Sequence, residues 1–281
     1  MTVRELFNHG KNILEENFVE NFQNETRWIF ESVFKCKSDY LIMHSSETAD
    51  KNISEEFLSK INQRASGVPV QYVIGEWDFY GETFFVGDGV LIPRPETEIL
   101  VDFALEYLKG KSSPIVIDLC SGTGCIGLTV ARLLKNADVY MVEKSDKAFS
   151  FLEKNKEKFM LKNATIIQGD IFDGFENFNI PEPDLILSNP PYINSDEIAS
   201  LQAEVLREPA MALDGGTDGL DFYKAICEKW LNHCRGAIAV EFGEDQADDI
   251  GKLFSQQCAE TKSVIDFNEI ERVVIGRKDI K

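Results

Sequence analysis

From about residue 115 onward, short apolar runs alternate with longer amphipathic segments, and this alternation restricts the fold more than any other feature of the chain. The apolar runs are rich in aliphatic and β-branched residues and predict strands; they are "IVIDLC" (115–120), "DVYMVE" (138–143), "ATIIQGD" (164–170), "DLILSN" (184–189) and "GAIAVEF" (236–242). The segments between them predict helices; they are "CIGLTVARLLK" (125–135), "DKAFSFLEKNKEKFM" (146–160), "LDFYKAICEKWLNHC" (220–234) and "QADDIGKLFSQQ" (246–257). The final runs "KSVIDFN" (262–268) and "ERVVIGRK" (271–278) predict a closing pair of strands. This order is typical of an α/β fold with a mostly parallel, doubly wound sheet, whose strand carboxyl ends meet at one ligand-binding edge.

Upstream of this region the sequence predicts two smaller parts. Residues 1–70 predict a helical domain, because their apolar side chains recur at helical spacing. Residues 71–90 are rich in aromatic and β-branched residues and predict a β-hairpin connector that turns at Gly81. We therefore expect the α/β domain to cover residues 91–281, with its first helix beginning at about Glu96.

The overall charge restricts the possible partners, and the cysteine content restricts the possible metal sites and disulfides. The formal net charge is -19, and an acidic surface repels phosphate backbones, so we expect no nucleic-acid partner. No apolar run is long enough for a signal peptide or a membrane span, so we expect a cytoplasmic protein without a membrane partner. The six cysteines form no Cys-x-x-Cys pair and there are only three histidines, which argues against a zinc site and against a disulfide framework.

A glycine-rich turn follows the first strand of the α/β region. Gly122, Gly124 and Gly127 form the pattern G-x-G-x-x-G, which permits a tight turn and close approach of a ligand. Glu143 ends the next strand, where an acid can bind ribose hydroxyls. The pattern alone leaves open a dinucleotide, another nucleoside, or a turn that only packs a helix on a strand. Asp118, four residues before Gly122, disfavours a pyrophosphate and favours a cationic ligand, because like charges repel.

The fourth strand ends in Asn189-Pro190-Pro191-Tyr192. Proline fixes φ and stops a strand, so this segment is either a turn that ends the strand or a rigid support for an amide and an aromatic ring. The chemistry of the neighbouring motifs favours the second interpretation.

The combination Asp118-Leu-Cys-Ser-Gly122-Thr-Gly124, Glu143 and Asn189-Pro-Pro-Tyr192 resembles the class I S-adenosylmethionine-dependent amino methyltransferases, which have a Rossmann-like seven-stranded domain. The resemblance implies S-adenosyl-L-methionine as cofactor, with the glycine loop against its methionine part. The cofactor-binding residues that it implies are Asp118, Cys120, Ser121, Gly122, Thr123, Gly124, Glu143, Asp170, Ile171 and Asn189. Close relatives often carry an aromatic residue at or near position 171, whereas this chain has Ile171 followed by Phe172.

The same resemblance assigns a role to the Asn-Pro-Pro-Tyr segment. A conjugated NH2 group is a poor nucleophile because its lone pair is delocalised. The Asn189 side-chain oxygen and the Pro190 carbonyl can accept its N–H bonds and aim the lone pair at the methyl group, while the Tyr192 ring stacks on the planar group. This implies catalysis by Asn189, Pro190 and Tyr192, and substrate binding by these residues with Pro191. The motif does not distinguish a glutamine from an adenine or a cytosine.

Two further segments narrow the substrate. "GVLIPRPETEILV" (89–101) and "REPAMALDGGTDGLDFY" (207–223) are similar to the protein-(glutamine-N5) methyltransferases that act on class-1 peptide chain release factors. The similarity implies that the substrate is the glutamine of a Gly-Gly-Gln loop and that the N-terminal helical domain helps to recognise the factor. Alternatives are a ribosomal-protein glutamine, a nucleic-acid amino group such as adenine N6, and a non-catalytic adaptor that only binds the cofactor.

Three residues near these motifs have simpler interpretations. Glu241, at the end of the fifth strand, is expected to be an acid at a helix start rather than part of the pocket. Cys120 and Cys125 flank the glycine loop and are expected to be small packing residues rather than reactive thiols.

Overall fold

The computed structural model describes residues 1–37 and 39–278. Ser38 and residues 279–281, which fall within the predicted helical and α/β domains, lie outside the described residues. The chain divides into two compact units. The first contains residues 1–77 together with residues 202–207, and the second contains the remainder.

The first unit is helical, as the sequence predicts. Its helices are α1 (Val3–Glu16), α2 (Phe22–Phe34), α3 (Tyr40–Met43), α4 (Lys51–Ala65) and α5 (Val70–Ile74). A capping box begins α1: the Thr2 hydroxyl accepts from the Glu5 N–H and the Thr2 N–H donates to the Glu5 carboxylate. Gly10 lets α1 approach α4, because a Cβ at this position would lie 2.6 Å from the ring of Phe57.

A buried ion cluster joins three parts of the first unit. The Arg64 side chain, 4% exposed, binds the carboxylates of Glu25 on α2 and Glu204 in the segment 202–207. Two carboxylates around one buried guanidinium satisfy its charge, which would otherwise be costly away from water. This cluster ties the segment 202–207 to the helical unit although in sequence the segment lies between two strands of the α/β region.

A β-hairpin follows α5 along the chain. It consists of β1 (Glu76–Phe79) and β2 (Glu82–Phe85), within the segment predicted to be a hairpin. Tyr80 and Gly81 connect them with φ values of 51° and 73°. Two successive positive φ values are typical of a type I′ turn, whose twist matches that of the flanking strands.

The second unit contains a seven-stranded sheet in the order β5-β4-β3-β6-β7-β9-β8. Its strands are β3 (Ile115–Leu119), β4 (Asp138–Glu143), β5 (Ala164–Gln168), β6 (Leu185–Ser188), β7 (Ala237–Glu241), β8 (Glu260–Ile265) and β9 (Glu271–Arg277). Its helices are α6 (Glu98–Tyr107), α7 (Cys125–Leu133), α8 (Asp146–Phe159), α9 (Asp221–Lys229) and α10 (Ala247–Ser255). The strands β3 to β7 pair in parallel, and β9 is antiparallel to both β7 and β8. The predicted doubly wound sheet and its closing strand pair are confirmed.

The core of this unit lies on both faces of the sheet. Successive side chains of a strand point to opposite faces, and in β6 Leu185 and Leu187 join one buried cluster while Ile186 joins the other. Helices α6, α7 and α8 contribute to the first cluster, and α9 and α10 contribute to the second. Burial on both faces explains why the central strands are continuously apolar in sequence. Within the described residues, no helix is both long and apolar enough to cross a membrane.

Candidate functional site

A cavity lies at the carboxyl-terminal edge of the parallel strands in the second unit. It has about 960 Å³ of open space, counting solvent at its mouth. Its lining comes from the chain segments that follow β3, β4, β5 and β6 and from the segment before α6. Strand order reverses direction at β3, and ligands of open α/β sheets bind outside the strand ends at such a point. The topology therefore makes this cavity the candidate site.

The glycine turn forms one wall of the cavity and requires its glycines. Gly122 and Gly124 have φ values of +55° and +80°, in the left-handed region that favours glycine. A Cβ at Gly124 would also lie 2.4 Å from Cδ1 of Leu152. Asn155 on α8 supports the turn from behind: its amide nitrogen donates to the carbonyl of Thr123 at 3.0 Å. The same side chain bonds both backbone groups of Phe85 on β2, so the hairpin and the turn share one buried amide.

Asp118 is fully buried and is the last residue but one of β3. One oxygen accepts from the Gly127 N–H at 2.9 Å, while the other, Oδ1, has no hydrogen-bond partner among the described residues. Burial raises the pKa of Asp118 to about 7, against the opposing bond from Gly127. A buried carboxylate with an unpaired oxygen fits a nearby cation and does not fit a phosphate.

Glu143 ends β4 and lines the cavity. Its carboxylate accepts from the Gly122 N–H at 2.8 Å and from the Ser145 N–H at 2.7 Å. Burial raises its pKa, although these backbone donors oppose the change. Each carboxylate oxygen keeps a further lone pair, so the group can still accept from a diol.

The segment after β5 supplies the apolar wall. Ile171 is buried, and Phe172 lies edge-on to Phe222 with ring centroids 5.1 Å apart. Both phenylalanines line the cavity. Burial would raise the pKa of Asp170, but the hydrogen bond and charge of Lys144 outweigh it and the pKa is lowered. Asp170 is therefore ionised at neutral pH beside an aromatic wall.

Asn189 follows β6 and lines the cavity. Its amide nitrogen donates to the Thr97 hydroxyl at 3.2 Å, and its Oδ1 is buried without a partner among the described residues. The Thr97 hydroxyl in turn donates to the Glu241 carboxylate at 2.5 Å. The interpretation of Glu241 as a helix-start acid is wrong, because α10 begins only at Ala247 and Glu241 is the last residue of β7, 3% exposed.

The three residues that follow Asn189 differ in whether they line the cavity. Pro191 lines the cavity, whereas Pro190 and Tyr192 are not part of its lining. The Tyr192 ring lies against Gly243, where a Cβ would come within 3.1 Å of it, and burial raises the pKa of its hydroxyl. Stacking of Tyr192 on a substrate group stays a prediction.

Glu208 connects segments 89–101 and 207–223, the two segments whose similarity to a known family restricts the choice of substrate. Its carboxylate accepts from the Ile92 N–H at 3.0 Å and also binds the Arg94 guanidinium. Ile92 and Arg94 line the cavity, so this buried acid holds the extended chain that borders it. Sequence reasoning did not assign Thr97 or Glu208 a contact. The sequence signal for this contact was a pair of opposite charges, Arg94 and Glu208, in the two motifs.

Most residues expected at the cofactor lie together. The predicted cofactor-binding residues that line the cavity are Cys120, Ser121, Gly122, Thr123, Glu143, Asp170, Ile171 and Asn189, while Asp118 and Gly124 do not line it. Burial raises the pKa of the Cys125 thiol to about 12 and that of Cys120 well above its usual value. Both thiols are therefore protonated and weak nucleophiles at neutral pH, which agrees with a packing role.

The fold and the site define an S-adenosylmethionine-dependent methyltransferase of class I, and family models agree. The PrmC N-terminal domain matches residues 5–75 and the Methyltransferase small domain matches residues 97–218.

Curated relatives over nearly the whole chain are more specific. The release factor glutamine methyltransferase of Fusobacterium nucleatum is 34% identical over 99% of this chain and 79% of its own length. That of Geobacter sulfurreducens is 35% identical over 98% of this chain and 96% of its own. The chain belongs to the release factor glutamine methyltransferase family, whose methyl donor is S-adenosylmethionine.

Solved structures agree on the fold alone. The hMettl16 catalytic domain, in complex with the MAT2A 3′UTR hairpin 1, aligns with a TM-score of 0.57 and 12% identity over 83% of this chain and 82% of its own. The Thermus thermophilus 16S rRNA N2 G1207 methyltransferase, in complex with AdoMet and guanosine, aligns with a TM-score of 0.52 and 20% identity over 73% of this chain and 50% of its own.

Proposed function

We propose that this protein transfers a methyl group from S-adenosylmethionine to the side-chain nitrogen, N5, of the glutamine in the Gly-Gly-Gln loop of class-1 release factors. Family membership supports the reaction and the substrate class. The observation that carries the chemistry is the buried, unpartnered Oδ1 of Asn189 at the cavity, since a buried acceptor without a donor gains most from an incoming N–H.

The lining fits the cofactor. Bound S-adenosylmethionine supplies an electrophilic methyl group on a sulfonium. The glycine turn would lie against its methionine part, and Glu143, which lines the cavity, suits its ribose hydroxyls. Asp118 does not line the cavity and would favour the positive charges of the cofactor only through its own charge when ionised. Ile171 and Phe172 would form the apolar surface for its adenine. S-adenosylmethionine carries no phosphate, so its site requires no cluster of positive charge.

The chain's own residues would then orient the nucleophile. An amide nitrogen attacks only when its lone pair leaves conjugation, and acceptors on its N–H bonds favour that geometry. Asn189 Oδ1 would take one N–H and the Pro190 carbonyl the other, and both bonds strengthen as the nitrogen becomes positive. Proline at positions 190 and 191 restricts the backbone, so the carbonyl is held in place before reaction. The nitrogen loses its proton after transfer, so no ionised base is required.

The helical unit would recognise the release factor outside the glutamine loop. Its exposed apolar side chains Phe18 and Ile42, 91% and 73% exposed, are candidate contacts. Replacing both by Ser should raise KM for the intact factor and leave KM for a Gly-Gly-Gln peptide unchanged. Equal effects on both substrates would contradict this role.

A translation factor as substrate implies a cytoplasmic location. The net charge of -19 argues against nucleic acid as substrate.

Labelled S-adenosylmethionine tests the proposal directly. The purified protein is offered a class-1 release factor, the same factor with the Gly-Gly-Gln glutamine changed to alanine, a ribosomal-protein preparation, and duplex DNA. Label on the intact factor alone is expected. Label on the alanine variant, on ribosomal protein or on DNA would overturn the assignment of the release-factor glutamine as substrate. Absence of label on every sample would favour the alternative that the protein is a non-catalytic adaptor.

Asn189→Ala tests the catalytic role. Losing the acceptor should lower kcat by about 10²–10³-fold, the usual cost of removing one transition-state hydrogen bond. Affinity for the cofactor, measured by titration calorimetry, should change little. Asn177→Ala, at an exposed asparagine outside the cavity, is the matched control. Near-normal turnover of Asn189→Ala would exclude this role.

A further inference from the structure

Asn189 reaches its neighbours through a short chain of buried polar groups. We propose that Thr97 and Glu241 are positioning residues for this reaction: they fix the orientation of the Asn189 amide, so that Oδ1 is the atom offered to the substrate glutamine. The inference rests on the proposed function and deepens it. Neither residue was among those predicted to bind cofactor or substrate.

The sheet register brings the three residues together. Ser188 on β6 pairs with Val240 on β7, so Asn189 and Glu241 are the next residues along two adjacent parallel strands. Thr97 is the last residue of the 3-10 turn (Pro95–Thr97) that leads into α6. The hydroxyl bridges the two strand ends, with bonds of 3.2 Å to the amide and 2.5 Å to the carboxylate.

The direction of these bonds follows from the chemistry of the groups. A hydroxyl has one proton, and when Glu241 is ionised, as it is above its pKa of about 7, Thr97 gives that proton to the carboxylate. Thr97 can therefore only accept from Asn189, and only the NH2 end of an amide can donate. The NH2 group is thus held at Thr97, and the carbonyl end, Oδ1, remains without a protein partner. A reversed amide would place two acceptors against each other.

Burial makes this preference strong. Thr97 and Glu241 are 2% and 3% exposed, so water cannot substitute for a lost partner. Hydrogen bonds are stronger and unpaired polar groups more costly in such a low-dielectric setting. Without the hydroxyl, the amide would be free to turn, and its Oδ1 would face the substrate for only part of the time.

The test compares Thr97→Val with Thr97→Ser. Valine keeps the shape and removes the hydroxyl, so kcat on a release factor should fall about tenfold, equivalent to about 1.4 kcal/mol. KM and the affinity for S-adenosylmethionine should stay within twofold of wild type. Serine restores the hydroxyl and should recover kcat to within threefold. Thr129→Val is the matched control, because Thr129 is also buried and its hydroxyl has no partner among the described residues.

Each result has a distinct meaning. Loss of kcat in Thr97→Val, recovery in Thr97→Ser and no loss in Thr129→Val support the inference. Wild-type kcat in Thr97→Val overturns it while the proposed function stands. A fall in melting temperature or in cofactor affinity that accounts for the lost activity also overturns it, since the role would then be structural. Failure of the wild-type protein to label a release factor overturns the proposed function, and this inference with it.

Discussion

Glu241→Gln should remove much of the pH dependence of stability of the α/β unit. Burial raises the pKa of Glu241 to about 7 from its usual 4.5, and the neighbouring charge of Glu96 adds to the effect. The hydrogen bond from Thr97, the charge of Arg272 and the nearby Asn189 amide oppose it. A change from 4.5 to about 7 corresponds to about 3 kcal/mol, at about 1.4 kcal/mol per pKa unit.

The sign follows from which state binds the proton more tightly. The folded protein keeps Glu241 protonated to higher pH than the unfolded chain does. This contribution to stability is therefore fully present below pH 4.5 and is lost as the pH rises through about 7. Glutamine does not titrate and can still accept from the Thr97 hydroxyl, so the variant lacks only the pH-dependent part.

Urea unfolding between pH 5 and pH 8.5 measures this difference. Trp230 is buried in the core of the α/β unit, and its fluorescence reports that unit when Trp28 and Trp77 are changed to Phe. From pH 5 to pH 8.5 the free energy of unfolding of wild type should fall by about 2.5 kcal/mol more than that of Glu241→Gln, because part of the contribution is already lost at pH 5. Asp118 titrates in the same range in both proteins, so its contribution cancels in the comparison. Parallel curves for the two proteins would refute the reasoning.

Three further changes test other parts of the structure. Gly124→Ala forces a side chain into a left-handed backbone against a close neighbour, so we expect a loss of about 2 kcal/mol and weaker S-adenosylmethionine binding by calorimetry; unchanged binding would contradict this. Asn155→Ala leaves buried backbone groups of the hairpin and the glycine turn unpaired and should cost about 3 kcal/mol in urea unfolding; a loss under 1 kcal/mol would show that water replaces the amide. Arg64→Met leaves two carboxylates without their cation and should cost about 3–5 kcal/mol in the helical unit, with partial recovery when Glu25 and Glu204 are also changed to Gln. No recovery in that triple variant would assign the loss to packing instead.

Local sequence patterns were sufficient for the elements and for the edge where ligands bind. The apolar runs predicted the central strands because side chains buried on both faces of a sheet must be apolar along the whole strand. The glycines at 122 and 124 marked a turn of positive φ, which the structure confirms. The start of α6 was predicted two residues early because the acids of "PETE" first enter a 3-10 turn.

Contacts between distant segments were decided only by the tertiary structure. Glu241 looked like a helix-start acid because its sequence neighbours carry no information about Thr97, which lies 144 positions away and meets it only where the 3-10 turn before α6 packs against the end of β7. The same holds for Glu208, which reaches Ile92 and Arg94 across 116 and 114 positions. Residue types and short spacings can be read from neighbours along the chain, and they indicate which chemistry the chain can perform. The orientation of the Asn189 amide and the raised pKa of Glu241 depend on burial and on partners from other elements, which exist only once the sheet has formed.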